Sequence, residues 1–166
     1  MVDTPSRDFF FPATIEEIKE TLNKLPKEHT ENLTHVWLRK VKKKDYENSE
    51  TFQGSFICGS GVNLIVLYPF PADLIMRFDK KPSQNKLKRY SPYTSDLIQK
   101  EGQWHLKWTK MGIKKYYLEG LLLHEIGHHI DSYYQRYWSK AYKNKCEKFA
   151  DNYAVYWSSK LTEIYE

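Results

Sequence analysis

The chain of 166 residues is 40% hydrophobic and 16% aromatic, and its 26 basic and 21 acidic side chains give a net charge of +5. This composition predicts one globular domain over residues 1–166 and excludes a chain that is disordered along its whole length. The charge excess is too modest to favour a nucleic-acid partner, so the basic clusters at 39–44 and 80–89 are interpreted as solvated surface.

The first half of the chain predicts a helix followed by strands. Thr14 and Glu17 form a Thr-x-x-Glu capping box, and the apolar spacing after it predicts a helix over 12–25. Strands are predicted at four later segments, with Gly59-Ser60-Gly61 as a hairpin turn between the second and third: 33–41, 51–58, 62–68 and 74–78. The charged segment 80–93 contains two prolines and predicts a surface loop.

The second half predicts one further strand and then two helices. Residues 103–109 alternate apolar and polar side chains, which is typical of a half-buried strand with Trp104, Leu106 and Trp108 on one face. Helical spacing then predicts one helix from about 112 to about 137 and another from about 140 to about 160. The order predicts an α+β fold, in which a small, mostly antiparallel or mixed sheet packs against these two helices.

The cysteines and the hydropathy of the chain indicate in which cellular compartment the protein is expected. Cys58 and Cys146 are far apart and form no CxxC pair, which predicts two buried thiols outside any disulfide and no cysteine zinc site. No basic segment followed by a long apolar stretch begins the chain, and no apolar run approaches the ~20 residues of a membrane span. We therefore expect a cytoplasmic protein with no membrane partner, and the oligomeric state stays open.

The first C-terminal helix contains the sequence His-Glu-Ile-Gly-His at 124–128. Residues four apart share a helix face, so His124 and His128 can direct two imidazole nitrogens at one zinc ion. Glu125 is then placed to act as the general base for a water molecule at the metal. Gly127 costs ~1 kcal/mol against alanine inside a helix, which predicts a closely packed neighbour. The alternative is that both histidines are packing or surface residues.

A catalytic zinc site needs three protein ligands and one open position. Asp131 and Tyr134 stand where the extended metzincin pattern requires Gly and His, which excludes that pattern. Glu147 follows His128 after 18 intervening residues, enough for a turn and an antiparallel return, and can complete a His-His-Glu site. Two alternatives remain open: Asp131 as a ligand, and Glu147 as a solvated charge.

The second C-terminal helix has two further features near Glu147. Asp151 lies one turn beyond Glu147 on the same face and can hydrogen-bond the outer nitrogen of a histidine ligand, which fixes its tautomer. Ala150 and Ala154 are small, which predicts that the two helices approach each other closely.

Segment 121–154 combines His-Glu-x-x-His with Glu-x-x-Ala-Asp at 147–151, and so resembles the gluzincin metallopeptidases, with the ImmA/IrrE group and the minigluzincins as the nearest forms. The resemblance covers about 35 of the 166 residues. It implies a zincin-like fold with one zinc ion (Zn²⁺) per chain. It also implies zinc ligands at His124, His128 and Glu147, the general base at Glu125 and a supporting carboxylate at Asp151.

The implied function is that of a cytoplasmic zinc metalloendopeptidase, a hydrolase whose partner is a peptide or protein substrate. Such a substrate can add as an extra strand to a sheet edge, for which 64–68 and 104–108 are the candidates. Many gluzincins polarise the substrate carbonyl with a tyrosine or histidine, and the candidates for this role are Tyr68, Tyr153 and Tyr156. An alternative from another class is a catalytically silent or self-inhibited zinc-binding regulatory or protein-interaction module, with residues 161–166 folded back over the metal.

Overall fold

The computed structural model describes residues 1–42, 53–132 and 142–163, with side chains up to Leu161 in the last stretch. Its architecture is α+β, because small sheets pack against helices, and the predicted fold class is confirmed at that level. Within the described ranges, no helix combines the length and the apolar character that crossing a bilayer requires.

The chain begins with strand β1 (Phe9–Phe10) and helix α1 (Ile15–Asn23), followed by a 3₁₀ turn (Lys27–His29) and strand β2 (His35–Leu38). The predicted capping box is confirmed. The Thr14 hydroxyl accepts the Glu17 N–H at 3.2 Å, and the Glu17 carboxylate accepts the Thr14 N–H at 2.9 Å. Glu17 also accepts a hydrogen bond of 2.6 Å from Lys114, which ties this N-terminal helix to the later helices.

The first three-stranded sheet is mixed. Strands β3 (Gly54–Gly59) and β4 (Val62–Leu67) form the predicted antiparallel hairpin, and β2 pairs with β4 in parallel, so the order is β2-β4-β3. Ser60 and Gly61 take φ values of +50° and +79°, as a two-residue hairpin turn of the primed type requires. Strand β4 is therefore central, and its buried Ile65 and Leu67 supply the core face of the sheet.

The second three-stranded sheet is antiparallel. It contains β6 (Ile75–Phe78), β7 (Thr94–Lys100) and β8 (Gln103–Trp108) in the order β6-β8-β7, while β5 (Phe70–Pro71) pairs separately with β1. The predicted burial of Leu106 and Trp108 is confirmed. Strand β7 was not among the predicted strands, because its mostly exposed side chains lack a regular apolar alternation.

The prediction of a surface loop over 80–93 is wrong, since this segment contains helix α2 (Gln84–Tyr90). The Ser83 hydroxyl caps the helix by accepting the Lys86 N–H at 3.3 Å. Pro82 and Pro92 lie outside the helix, where they remove none of its internal hydrogen bonds. The charged composition therefore concealed a helix of seven residues, and this helix carries Arg89 towards the site described below.

The first predicted C-terminal helix has three parts: α3 (Lys110–Lys115), a π-helical segment (Tyr116–Leu122) and α4 (Leu123–Ser132). Its predicted continuation over 133–137 lies outside the described residues. The second is α5 (Lys143–Glu163), close to the predicted bounds. Leu161 near its end is buried in the core, while residues 164–166 of the predicted inhibitory tail lie outside the described part.

The main core lies between the β2-β4-β3 sheet and helix α4, which also contacts α5. Its fully buried members include Ile65, Leu67, Leu122, Leu123 and Ile126. Both cysteines are thiols outside any disulfide, but only Cys146 is buried as predicted, since Cys58 is half-exposed.

Candidate metal site

Helices α4 and α5 touch at a contact between two small residues. A Cβ atom added to Gly127 would lie 2.7 Å from the Cα of Ala150 and 3.2 Å from its Cβ, so no side chain fits there. The predicted close neighbour of Gly127 is therefore Ala150. Because the two histidines of the motif flank Gly127 and Glu147 lies just before Ala150, this contact brings the three side chains together.

Three donor groups converge at this crossing. The Nε2 atoms of His124 and His128 are 3.1 Å apart, and the Glu147 carboxylate oxygens lie 3.5 Å and 3.6 Å from them. Ligand atoms ~2.1 Å from a tetrahedral zinc ion are roughly 3.4 Å from one another. The residues present therefore fit a zinc ion in both donor type and spacing, and the described residues hold no other such group of three.

The donor group is enclosed on one side and open on the other. His124 and His128 are 4% and 6% exposed, whereas the side chain of Glu147 is 48% exposed. Two buried donors and one half-exposed donor leave one side of the group accessible, which is compatible with an open metal position.

Asp151 lies where the sequence analysis placed it, behind a histidine of the motif. Its Oδ1 atom is 2.9 Å from Nδ1 of His124, while Nε2 of the same ring faces the other donors. A carboxylate in this position orients the ring and favours the tautomer with Nε2 available to a metal.

The two imidazoles differ in basicity. Burial lowers the pKa of His124, but hydrogen bonds to Asp151 and Glu147 outweigh it and raise that pKa to about 9. Burial and then the charge of His124 lower the pKa of His128 to about 4. Two positive charges on imidazoles this close repel each other, and a metal binds only neutral rings, so metal binding should weaken as the pH falls.

Glu125 is buried beside the donor group, at the edge of the first sheet. Burial raises its pKa to about 7, against the opposing charges of His124 and Arg89. A Cβ atom added to Gly54 of β3 would lie only 3.1 Å from Glu125 Oε1, so the strand passes directly over this carboxylate. A carboxyl group with a pKa near neutrality can both accept and deliver a proton.

Asp131, the alternative ligand, does not join the donor group. It is fully buried on α4, and the group formed in the described residues contains Glu147 in its place. The charge of Asp131 acts on His128, whose pKa it raises against the larger lowering by burial.

Two of the tyrosines proposed as carbonyl-polarising groups, Tyr153 and Tyr156, do not face the donors. The hydroxyl of Tyr153 is 2.8 Å from Nδ1 of His29, on the side of α5 that packs against the 3₁₀ turn. Tyr156 is 57% exposed, and its position nine residues after Glu147 puts it on the opposite face of α5. Tyr68 follows β4, the central strand of its sheet.

Arg89 is a charged neighbour of the site that the sequence analysis missed. Its Nη1 atom lies 3.7 Å from Asp151 Oδ1, and its side chain is 36% exposed. The hydrogen bond with His124 and then the charge of Arg89 lower the pKa of Asp151, and the charge of Arg89 partly offsets the rise that burial causes in the pKa of Glu125. The available signal was the Ser83 cap, which starts the helix that positions this side chain.

Both predicted substrate edges are wrong, because 64–68 lies in β4 and 104–108 in β8, and each is the central strand of its sheet. In the described part of the chain, β3 pairs with a strand on one side only, and it contacts α4. The sheet edge next to the donor group is therefore Gly54–Gly59.

Replacing Asp151 tests its contact with His124. We expect Asp151→Ala to weaken zinc binding by about 10–100-fold, because the ligand ring loses the group that orients it. Competition with a chromophoric chelator measures the affinity, and Asn152→Ala, at the exposed neighbouring position, is the matched control. An unchanged affinity in Asp151→Ala would show that the contact has no part in metal binding.

Comparisons with known proteins offer no relative from which a role for these residues could be transferred. No family model, no curated protein and no solved structure matches the chain.

Proposed function

We propose that this chain is a zinc-dependent metallopeptidase of gluzincin type with a zincin-like fold. The observation that carries the proposal is the position of Glu125, a buried carboxylate beside a half-open His-His-Glu donor group. A purely structural zinc site has no need of such a base and is normally closed by a fourth protein ligand.

Under this proposal, His124, His128 and Glu147 hold one zinc ion. When bound, zinc polarises a carbonyl group and lowers the pKa of a water molecule towards neutrality. Glu125 accepts a proton from the attacking water and delivers it to the leaving amine as the peptide bond breaks. Asp151 keeps the His124 ring in its ligating orientation throughout.

Strand β3 is the proposed docking edge for the substrate. An extended peptide would add to it through backbone hydrogen bonds, which bind without requiring a particular side chain. Gly54 lies over Glu125, so a peptide on this edge would pass close to the general base.

The thiols Cys58 and Cys146, which form no disulfide, fit a reducing compartment, and we place the activity in the cytoplasm.

The test is hydrolysis of a mixed peptide library by the zinc-loaded protein, followed by mass spectrometry. We expect cleavage that stops with 1,10-phenanthroline and returns when zinc is added back. A protein that holds zinc but cleaves nothing in the library would contradict the proposal and favour the silent or self-inhibited binding module.

A further inference from the structure

We propose that Arg89 binds the C-terminal carboxylate of a peptide substrate, so that the site removes residues from the ends of peptides as a carboxypeptidase. This inference rests on the proposed function and narrows it, in place of the endopeptidase activity that the resemblance implies. It starts from the position of Arg89 on α2, beside Asp151, the carboxylate that contacts the His124 ring.

The guanidinium of Arg89 has unused hydrogen-bonding capacity. It carries five N–H donors, and within the described part of the chain its side chain forms an ion pair of 3.7 Å with Asp151 and no hydrogen bond. A distance of 3.7 Å is longer than a charge-assisted hydrogen bond, which measures ~2.7–2.9 Å. Because the side chain is 36% exposed, a ligand can reach the remaining donors.

A carboxylate is the ligand that this arrangement fits best. The guanidinium group is planar and pairs with a carboxylate through two parallel N–H···O bonds. Glu125, Glu147 and Asp151 would repel an anionic substrate from this rim, and Arg89 supplies the opposing charge there. Arg89 thus supplies a positive charge beside Asp151 and near Glu125, where the terminal carboxylate of a peptide could be neutralised.

The distance between Arg89 and the donor group sets where the substrate ends. Only the contacts of 3.7 Å from Arg89 to Asp151 and 2.9 Å from Asp151 to His124 separate the guanidinium from a zinc-ligand ring. An extended peptide advances ~3.3–3.6 Å per residue. The width of the ring and a metal bond of ~2.1 Å add to this path. Up to about three residues therefore span the gap from the scissile bond to Arg89, and the expected products range from single residues to tripeptides.

Arg89 also has a simpler interpretation, in which it only holds Asp151 in place and contacts no substrate. Under that interpretation its replacement would change zinc affinity, but it would change the binding of all peptides equally. The two interpretations therefore differ in one ratio, the affinity for a peptide acid divided by the affinity for the corresponding amide.

The experiment measures this ratio by isothermal titration with an acetylated tripeptide acid and its C-terminal amide. The protein is the full chain carrying Glu125→Gln, which slows turnover, and it is studied both zinc-loaded and zinc-free. We expect the acid to bind about 10–100-fold more tightly than the amide, as one charge-assisted pair provides. Arg89→Gln should remove the preference, Arg89→Lys should retain part of it, and the exposed neighbour variant Lys88→Gln should keep it in full.

Equal binding of acid and amide, or a preference that survives Arg89→Gln, would overturn the proposal. A tripeptide amide ending in glutamate supplies a side-chain carboxylate, and binding as tight as that of the acid would overturn the C-terminal assignment. If the protein takes up no zinc but still prefers the acid to the amide, the result would support carboxylate binding by Arg89 and contradict the proposed function. If the protein binds zinc but does not prefer the acid to the amide, the result would contradict the role of Arg89 and leave the proposed function unaffected.

Discussion

Glu125→Gln is expected to reduce kcat/KM for peptide hydrolysis by about 10²–10⁴-fold, with the zinc content unchanged. The amide has nearly the shape of the carboxyl group and fits the same buried place beside Gly54. It cannot accept a proton from water, so the loss falls on the chemical step rather than on metal binding.

Two measurements on the same preparation test this prediction: peptide hydrolysis, and zinc content by elemental analysis. Glu20→Gln, on the exposed side of α1, is the control for removing a carboxylate elsewhere and should behave as the unchanged protein does. Wild-type rates in Glu125→Gln would mean that another group handles the proton, and would remove the main argument for catalysis.

Gly127→Ala is expected to lower both the free energy of unfolding and the zinc affinity. The added methyl group would lie 2.7 Å from the Cα of Ala150, a backbone atom that can move only if α5 moves. Overpacking of this kind costs ~1–3 kcal/mol. Displacing α5 also withdraws Glu147 from the histidines, so the two effects should appear together.

The sign of the stability change makes this substitution informative. Alanine is favoured over glycine inside a helix by ~1 kcal/mol, so the substitution would stabilise the protein if there were space for the methyl group. Urea unfolding and chelator competition measure the two quantities, with Val155→Ala on the exposed face of α5 as the control. A more stable Gly127→Ala protein that binds zinc normally would contradict the close helix contact on which the site depends.

Local signals explain which parts of the fold could be predicted from the sequence. The α1 cap depends on Thr14 and Glu17, three residues apart, and the hairpin turn depends on Ser60 and Gly61, which are adjacent. Helix α2 and strand β7 lack such strong signals, because neither has a regular apolar face. Which strand forms a sheet edge depends on pairing between distant segments. The apolar pattern of β4 indicates that the strand is buried, but it does not indicate which strands pair with it.

The same distinction applies to the candidate site. His124 and His128 are related by helical spacing alone, so their convergence follows from the sequence once the helix is assigned. Glu147 and Asp151 required the further assumption of an antiparallel return, which the small side chains of Ala150 and Ala154 favoured. The contact between Gly127 and Ala150 became known only from the structure. Arg89 approaches from a separate helix through tertiary packing, and no spacing rule connects it to the motif.

The most direct test of the central claim is the zinc content of the purified full chain, measured by elemental analysis for the wild type, His128→Ala and Glu147→Ala. His35→Ala, which removes an exposed histidine of β2, is the control. We predict close to one zinc ion per chain in the wild type and in the control, and almost none in the other two variants. A wild type without zinc, or zinc retained in full by Glu147→Ala, would contradict the His-His-Glu site.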